Sequence, residues 1–293
     1  MYTYETLDNI DTQTLHHAFL EAFSDYQVNI NLSLEAFQKM LVRRGYALEI
    51  SIGAFKEPGH ELVGFILNGL RKWNGARTAY DLGTGVTPLH RQQGISSRMF
   101  QSVREELKRN QVEQYLLEVL QNNEAAFELY KKQGLSITRN FSFHKLEQSR
   151  YHAKELTYAN EYLTEVDSDT WEQLQMFWDF SPSWQNSIDS IRAVQKQFVY
   201  AVVRLEKKII GYGIVDPVTG DVPQIAVLPE YRRKGIATSI VGALMNHSKG
   251  RQLRVINVDN ACEGMILFLE NVGFETIGHQ YEMMLTLDRN GKK

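Results

Sequence analysis

Stretches with apolar residues on one helical face alternate along the chain with short apolar runs, and the whole series occurs twice. In the first half the pattern predicts helices over 12–23 and 34–43, then strands over 46–55, 62–70 and 78–87. Asn74-Gly75, between the last two strands, is a strong signal for a two-residue hairpin. An amphipathic helix over 94–108, a strand over 114–119, a helix over 124–133 and a closing strand pair within 135–146 follow. The second half predicts helices over 169–179 and 186–196, and strands over 198–206, 208–215 and 221–228. It continues with a helix over 236–247, a strand over 252–258, a helix over 262–272 and closing strands within 274–287. Interleaved helices and hairpins predict an α/β (α+β) fold: two similar domains, each a mixed, largely antiparallel sheet flanked by helices.

The repetition reaches individual residues. Residues 86–96 read Val-Thr-Pro-Leu-His-Arg-Gln-Gln-Gly-Ile-Ser, and residues 227–237 read Val-Leu-Pro-Glu-Tyr-Arg-Arg-Lys-Gly-Ile-Ala. Val, Pro, Arg, Gly and Ile coincide without a gap. Each copy follows an apolar-apolar-Gly-aromatic strand, Leu62-Val63-Gly64-Phe65 or Ile209-Ile210-Gly211-Tyr212. Each precedes a helix, a short strand, a second helix and a Gly-apolar exit, Gly134-Leu135 or Gly273-Phe274. A match in order across both halves points to two copies of one unit. The polar stretch at 147–150 predicts the boundary, giving domains 1–147 and 151–288.

Composition removes several function classes. With a net charge of −3 nothing in the balance points to nucleic acid or an anionic membrane, so neither is expected as a partner. The single cysteine, Cys262, excludes an internal disulfide and fits a reducing compartment. The residues after Met1 lack the basic start and apolar run of a signal peptide, and no apolar stretch reaches the ~20 residues that span a bilayer, so a cytoplasmic location is expected. The eight histidines are scattered with no ligand spacing, so no metal site is expected.

The repeated segment has a physical reading of its own. Pro88 cannot donate to a ladder, so the strand ending at Val86-Thr87 stops pairing or splays there. Gly94 opens a helix and has no Cβ, so an anion can approach backbone N–H groups where the macrodipole favours negative charge. Arg91 adds charge. A plain strand-turn-helix connection uses the same residues, and it is the second copy that favours a diphosphate cradle.

Val-x-Pro-x-x-Arg-x-x-Gly-Ile-Ser/Ala resembles the acetyl-CoA signature of the GNAT superfamily of N-acetyltransferases, once in each half. The resemblance implies a tandem GNAT protein that moves an acetyl group from acetyl-CoA to a primary amine, of a small molecule or a peptide. It implies that Arg91, Gln92, Gln93, Gly94, Ile95 and Ser96 hold the CoA pyrophosphate and that a strand N–H at Val86 or a neighbour polarises the thioester. In the second half the same roles fall on Arg232, Arg233, Lys234, Gly235, Ile236, Ala237 and Val227. Asn123 and Asn260 match the asparagine that bonds the cofactor, and Asn123 also suits a helix N-cap.

The halves differ where the family places its general acid. Tyr130, four residues before Gly134, matches that tyrosine; four residues before Gly273 stands Leu269. The first half is therefore expected to be catalytic and the second degenerate. A phenol beside the departing sulfur can donate as charge develops, although a core tyrosine would show the same pattern. For the acceptor amine, Asp81 and Glu118 are candidate bases by position, each equally suited to a strand salt bridge. Lys131 and Lys132 are placed to reach the CoA 3′-phosphate, or are plain surface lysines. Acceptor contacts are expected from Phe23, Asp25, Tyr26 and Asn29, and in the second half from Trp171, Phe177, Trp178, Phe180 and Trp184, which are also natural core residues. A non-catalytic acyl-CoA-binding or sensing protein is the alternative. Either reading allows a monomer or a homodimer.

Overall fold

In a computed structural model of the chain, residues 1–25, 31–151 and 158–287 are described. The elements follow in the order β1 (Tyr2–Thr6), α1 (Thr12–Ala22), α2 (Leu34–Arg44), β2 (Ile52–Lys56), β3 (Glu61–Trp73), β4 (Ala76–Val86), α3 (Ile95–Arg109), β5 (Gln114–Leu120), α4 (Glu124–Lys132) and β6 (Ser136–Glu147). They continue as β7 (Glu161–Leu163), α5 (Ser168–Gln175), α6 (Ile188–Ala193), β8 (Val199–Leu205), β9 (Lys208–Val215), β10 (Ile225–Val227), α7 (Ile236–His247), β11 (Gln252–Asp259), α8 (Glu263–Val272) and β12 (Glu275–Thr286). The mixed fold with mostly antiparallel pairing agrees with the pattern in the sequence.

Two compact units form, but neither is a simple half of the sequence. One comprises Met1–Thr138 and the stretch from Glu282 onward; the other comprises Arg139–Tyr281. These bounds differ from those drawn through the polar stretch at 147–150, because β6 and β12 each run through a unit boundary as one strand. Neither is the strand pair expected from the sequence. β6 carries no Gly or Pro to turn on, and Gly278 in β12 lacks the positive φ of a turn.

In the first unit β1, β2, β3 and β4 pair as antiparallel neighbours. The β3–β4 turn is the expected hairpin: Asn74 has φ 48° and Gly75 φ 87°, the two positive values a type I′ turn needs. β5 then lies parallel to β4. On its far side come the last residues of β12, where the Leu287 N–H bonds the Glu113 carbonyl at 2.8 Å. α3 covers this sheet with Ile95, Met99, Phe100, Val103 and Leu107, all buried on one face.

In the second unit β10, β9, β8 and β7 form an antiparallel sheet, and residues 141–147 of β6 pair antiparallel with β11. α7 packs on β9 through Ile236, Ile240 and Leu244. The glycines of the repeated strand motif make that approach close: a Cβ on Gly211 would lie 2.6 Å from Ile236 Cγ2, and one on Gly64 3.4 Å from Ile95 Cγ2. This explains why Gly and Ile recur together in both copies.

Candidate active site

The glycine-opened helices are built alike in the two units. Gly94 is the N-cap of α3 with φ 74° and ψ 9°, and Gly235 is the N-cap of α7 with φ 84° and ψ 0°. Left-handed backbone costs a residue with a Cβ about 1–2 kcal/mol, which accounts for glycine at both places. Two residues earlier Gln92 and Arg233 also turn left-handed, at φ 61° and 63°. Such alternation points successive N–H groups toward one concavity that suits an anion. Neither helix has a side-chain cap, whereas α1, α2, α4, α5 and α6 are capped by Asp11, Ser33, Asn123, Asp167 and Ser187. A Cβ built on Gly94 or Gly235 meets nothing within 4 Å, so the space above both glycines is open. These residues fit a diphosphate.

The strand beside the cradle ends at Val86, as Pro88 predicts, but parts from its neighbour β5 earlier, after Tyr80. β4 and β5 pair only at Thr78–Gln114, Ala79–Tyr115 and Tyr80–Leu116. A bulge then inserts Leu82, so that Leu67 faces Gly83 while Asn68 faces Asp81. From Asp81 to Val86 β4 keeps β3 and leaves β5. The Thr87 N–H bonds the Val63 carbonyl at 2.9 Å. Neighbouring strand N–H groups point to opposite sides, so that of Val86 faces the gap. In the second unit the Leu228 N–H bonds the Ile210 carbonyl at 2.9 Å, turning the Val227 N–H outward in the same way.

Two predicted catalytic residues meet in the first unit. The Tyr130 hydroxyl, on α4, donates to Asp81 Oδ2 at 3.1 Å, and both side chains are buried. Asp81 also accepts from the Gly83 N–H at 2.8 Å and from Thr84 Oγ1 at 2.7 Å. Burial raises its pKa to about 6, against the opposing pull of those hydrogen bonds and of Arg44. Glu118, half-buried on β5, accepts from the Tyr80 hydroxyl. Burial, the Glu118 charge and Asp81 hold the Tyr80 phenol well above its ordinary pKa. Tyr80, Thr84 and Arg44 carry no signal in the sequence that separates them from other residues of their type.

Other predicted residues have structural duties. Ile95 and Ile236 are core side chains, leaving only their backbone for a ligand. Arg91 and Arg232 do not project as open charges: their guanidinium groups bond within the protein. Asn123 caps α4, its Oδ1 accepting from the Ala126 N–H at 3.2 Å. The matching cap of α8 is Cys262, not Asn260: Cys262 has φ −92° and ψ 71° beside −94° and 69° at Asn123. Asn260 instead donates its N–H to the Asn140 carbonyl. Gln93 Oε1 accepts from the Tyr2 hydroxyl at 2.9 Å. Lys131 and Lys132 end α4, with Lys131 paired to Glu128 at 3.8 Å. Ser96 and Ala237 lie in the first turns of their helices, and Lys234 Nζ reaches the Glu230 carbonyl at 3.2 Å. Phe23 packs on Phe19 and Phe65. Tyr26 and Asn29 fall outside the described residues.

The second unit departs at the gap. Leu269 is fully buried where the first unit has Tyr130. The segment leading into β10 touches β11 through one isolated bridge, Asp221–Arg254. Beyond it Asn186 spans both: its carbonyl accepts from Gln224 Nε2 at 2.7 Å and its Nδ2 donates to the Ile256 carbonyl at 2.9 Å. The space left beside it is about 40 Å³, lined by Trp178, Phe180 and Met265 among others. Trp171, Phe177 and Trp184 are core residues, and Trp178 Nε1 donates to the Tyr212 hydroxyl at 2.7 Å. Among the described residues no His, Cys, Asp or Glu cluster suits a metal ion, and no helix is long and apolar enough to cross a membrane.

The sequence matches the model of the Acetyltransferase (GNAT) family over residues 13–135 and again over 162–274. The fold is similar to that of a GCN5-related N-acetyltransferase from Sphaerobacter thermophilus (TM-score 0.70, 14% identity, 97% of this chain and 95% of that one covered). It is similar also to a tandem GNAT protein from the clavulanic acid biosynthesis pathway (TM-score 0.72, 15% identity, 98% of each chain covered). A GCN5-related N-acetyltransferase from Anabaena variabilis gives a TM-score of 0.61 at 14% identity, with 98% of this chain and 73% of that one covered. Among curated proteins none matches by sequence.

Proposed function

The chain belongs to the GNAT acetyltransferase family, as a tandem of two such folds, and on that premise we propose that its first unit transfers an acetyl group from acetyl-CoA to a primary amine. The observation that carries this reading is the Tyr130–Asp81 hydrogen bond beside the parted strands. Acetyl-CoA, when bound, supplies an electrophilic thioester carbon and a thiolate leaving group. The N–H groups around Gln92–Ser96 would hold its diphosphate, the Val86 N–H would donate a hydrogen bond to the thioester oxygen, and Asn123 would contribute from the start of α4.

The protein's own groups then manage one proton. An amine of pKa ~10.4 must lose ~4.6 kcal/mol worth of protonation preference at pH 7, at ~1.36 kcal/mol per unit. Asp81, ionised above about pH 6, takes a proton from the attacking nitrogen as the carbon–nitrogen bond makes that nitrogen acidic. Tyr130 gives its own proton to the departing sulfur and recovers one from Asp81 along their shared hydrogen bond. Net, one proton moves from nitrogen to sulfur. Glu118, engaged by Tyr80, is the weaker candidate for the base.

The second unit supports a binding or scaffolding role better than a catalytic one. It keeps the cradle of Arg233, Lys234, Gly235 and Ala237, but Leu269 has no proton to give and Asn186 bridges its gap. A cytoplasmic setting accords with the single cysteine. The test is amine-dependent release of free thiol from acetyl-CoA, run with a panel of small amines and peptide N-termini. Turnover in the wild type and its loss in Tyr130→Phe support the reading. CoA binding without thiol release from any acceptor would favour the sensor instead.

A further inference from the structure

The arginine of the repeated motif joins the same three places in each unit: the end of the parted strand, a helix-end carbonyl and an Asp. Arg91 Nε donates to the Val86 carbonyl at 3.1 Å, and its Nη2 donates to the Ala22 carbonyl, the end of α1, at 2.9 Å. Nη1 and Nη2 each reach a carboxylate oxygen of Asp25 at 2.7 Å. In the second unit Arg232 Nε donates to the Val227 carbonyl at 3.0 Å and Nη2 to the Phe177 carbonyl, just past α5, at 2.9 Å. Arg232 Nη1 lies 2.6 Å from Asp179. The two copies share few residues outside the motif, yet both place an Asp two or three residues beyond the bonded helix-end carbonyl.

We propose that Arg91 is a positioning residue for the cofactor and not a phosphate ligand: with Asp25 it clamps the cradle loop to the end of the parted strand and to the end of α1. This rests on the acyl-CoA reading above. Three nitrogens of the guanidinium are committed to protein oxygens, and a fork-to-fork carboxylate neutralises its charge. What remains to hold an anion is backbone, and backbone holds an anion only if its N–H groups converge. Gln92, directly after Arg91, sits in a left-handed conformation that favours glycine, so the loop is held in shape from outside its own preferences. On its other side the Tyr2 hydroxyl holds Gln93 and contacts His90 Nδ1 at 2.8 Å. Asp25 thereby serves the cofactor from the helix otherwise expected to meet the acceptor.

Calorimetric titration with CoA, supported by steady-state kinetics in acetyl-CoA, separates a clamp from a ligand. Three variants are needed: Asp25→Asn, Arg91→Lys and the double variant, each first checked by thermal melting without ligand. A clamp predicts that Asp25→Asn weakens CoA binding about tenfold, that Arg91→Lys does the same although it keeps the charge, and that the double variant is no worse than either single one. The loss falls on the acetyl-CoA KM more than on kcat. A phosphate ligand predicts the reverse: Asp25→Asn binds as tightly as the wild type or tighter, and Arg91→Lys retains most affinity. Either of those results overturns the proposal. Wild-type protein that binds no CoA would instead defeat the acyl-CoA reading itself.

Discussion

Tyr130 Oη lies 3.1 Å from Asp81 Oδ2, a hydrogen bond between residues 49 positions apart that joins α4 to the bulged part of β4. It sets a phenol against a carboxylate of raised pKa beside the strand gap, and under the proposed mechanism the two share one proton path. An acid and a base that share a hydrogen bond act as one unit, so their removal is not additive.

Replacing Tyr130 by Phe deletes the donor and keeps the ring that packs near Phe100. The fold is therefore retained, and kcat is expected to fall about 100-fold or more, the scale of a general acid. Rates of thiol release with and without the substitution check this. An undiminished kcat removes Tyr130 from the mechanism.

Asp81 gives a pH signature. Below about pH 6 the folded protein holds Asp81 protonated and without a base; above it the carboxylate forms. The acetylation rate should accordingly rise with pH through about 6 and level off, once measured with an acceptor whose own titration lies elsewhere. Asp81→Asn should lose that rise along with most of the activity. The stability effect has the opposite sign: a carboxyl whose folded pKa is raised binds its proton more tightly when folded, so its contribution declines as pH climbs from about 4 to about 6.

Gly94→Ala and Gly235→Ala form a matched pair, since both glycines are left-handed N-caps with open space above them. Each alanine costs about 1–2 kcal/mol of local strain. Only Gly94→Ala should raise the acetyl-CoA KM of the transfer reaction, by about tenfold. Equal effects of the two would mean that both cradles serve the chemistry.

Truncation after Tyr281 tests the division into units. It removes Glu282–Thr286, the part of β12 that belongs to the unit of Met1–Thr138, so that unit should lose heat stability although the cut lies far from it in sequence. Calorimetric melting of full-length and truncated protein reads this directly. An unchanged melting profile contradicts the unit boundaries.

What the sequence carried and what it withheld follow from locality. Gly94 and Gly235 were legible because only glycine adopts their backbone freely, and Asn74-Gly75 because a type I′ turn requires that pair. Tyr130 and Asp81 were legible one at a time; their bond was not, since it depends on how α4 docks over the bulge at Leu82. The Asp25–Arg91 clamp spans 66 positions and left no local trace, so a residue that reads as a phosphate ligand proved to be bonded inward. β1, at five residues, and β7, at three, were too short to stand out, and their pairing is fixed by neighbours remote in sequence. The helix expected over 186–196 shrank to Ile188–Ala193: Ser187 caps its start, Asn186 before it is turned to bond Gln224 and the Ile256 carbonyl, and Gln195–Gln197 form a separate 3-10 turn.

Amide hydrogen exchange with and without CoA tests most directly whether the first cradle grips CoA. Exchange at residues 92–97 should slow markedly when CoA is added and should not slow in Gly94→Ala. Unchanged exchange at 92–97 in the wild type, with slowing confined to 233–238, would contradict the claim and move the reaction to the other unit.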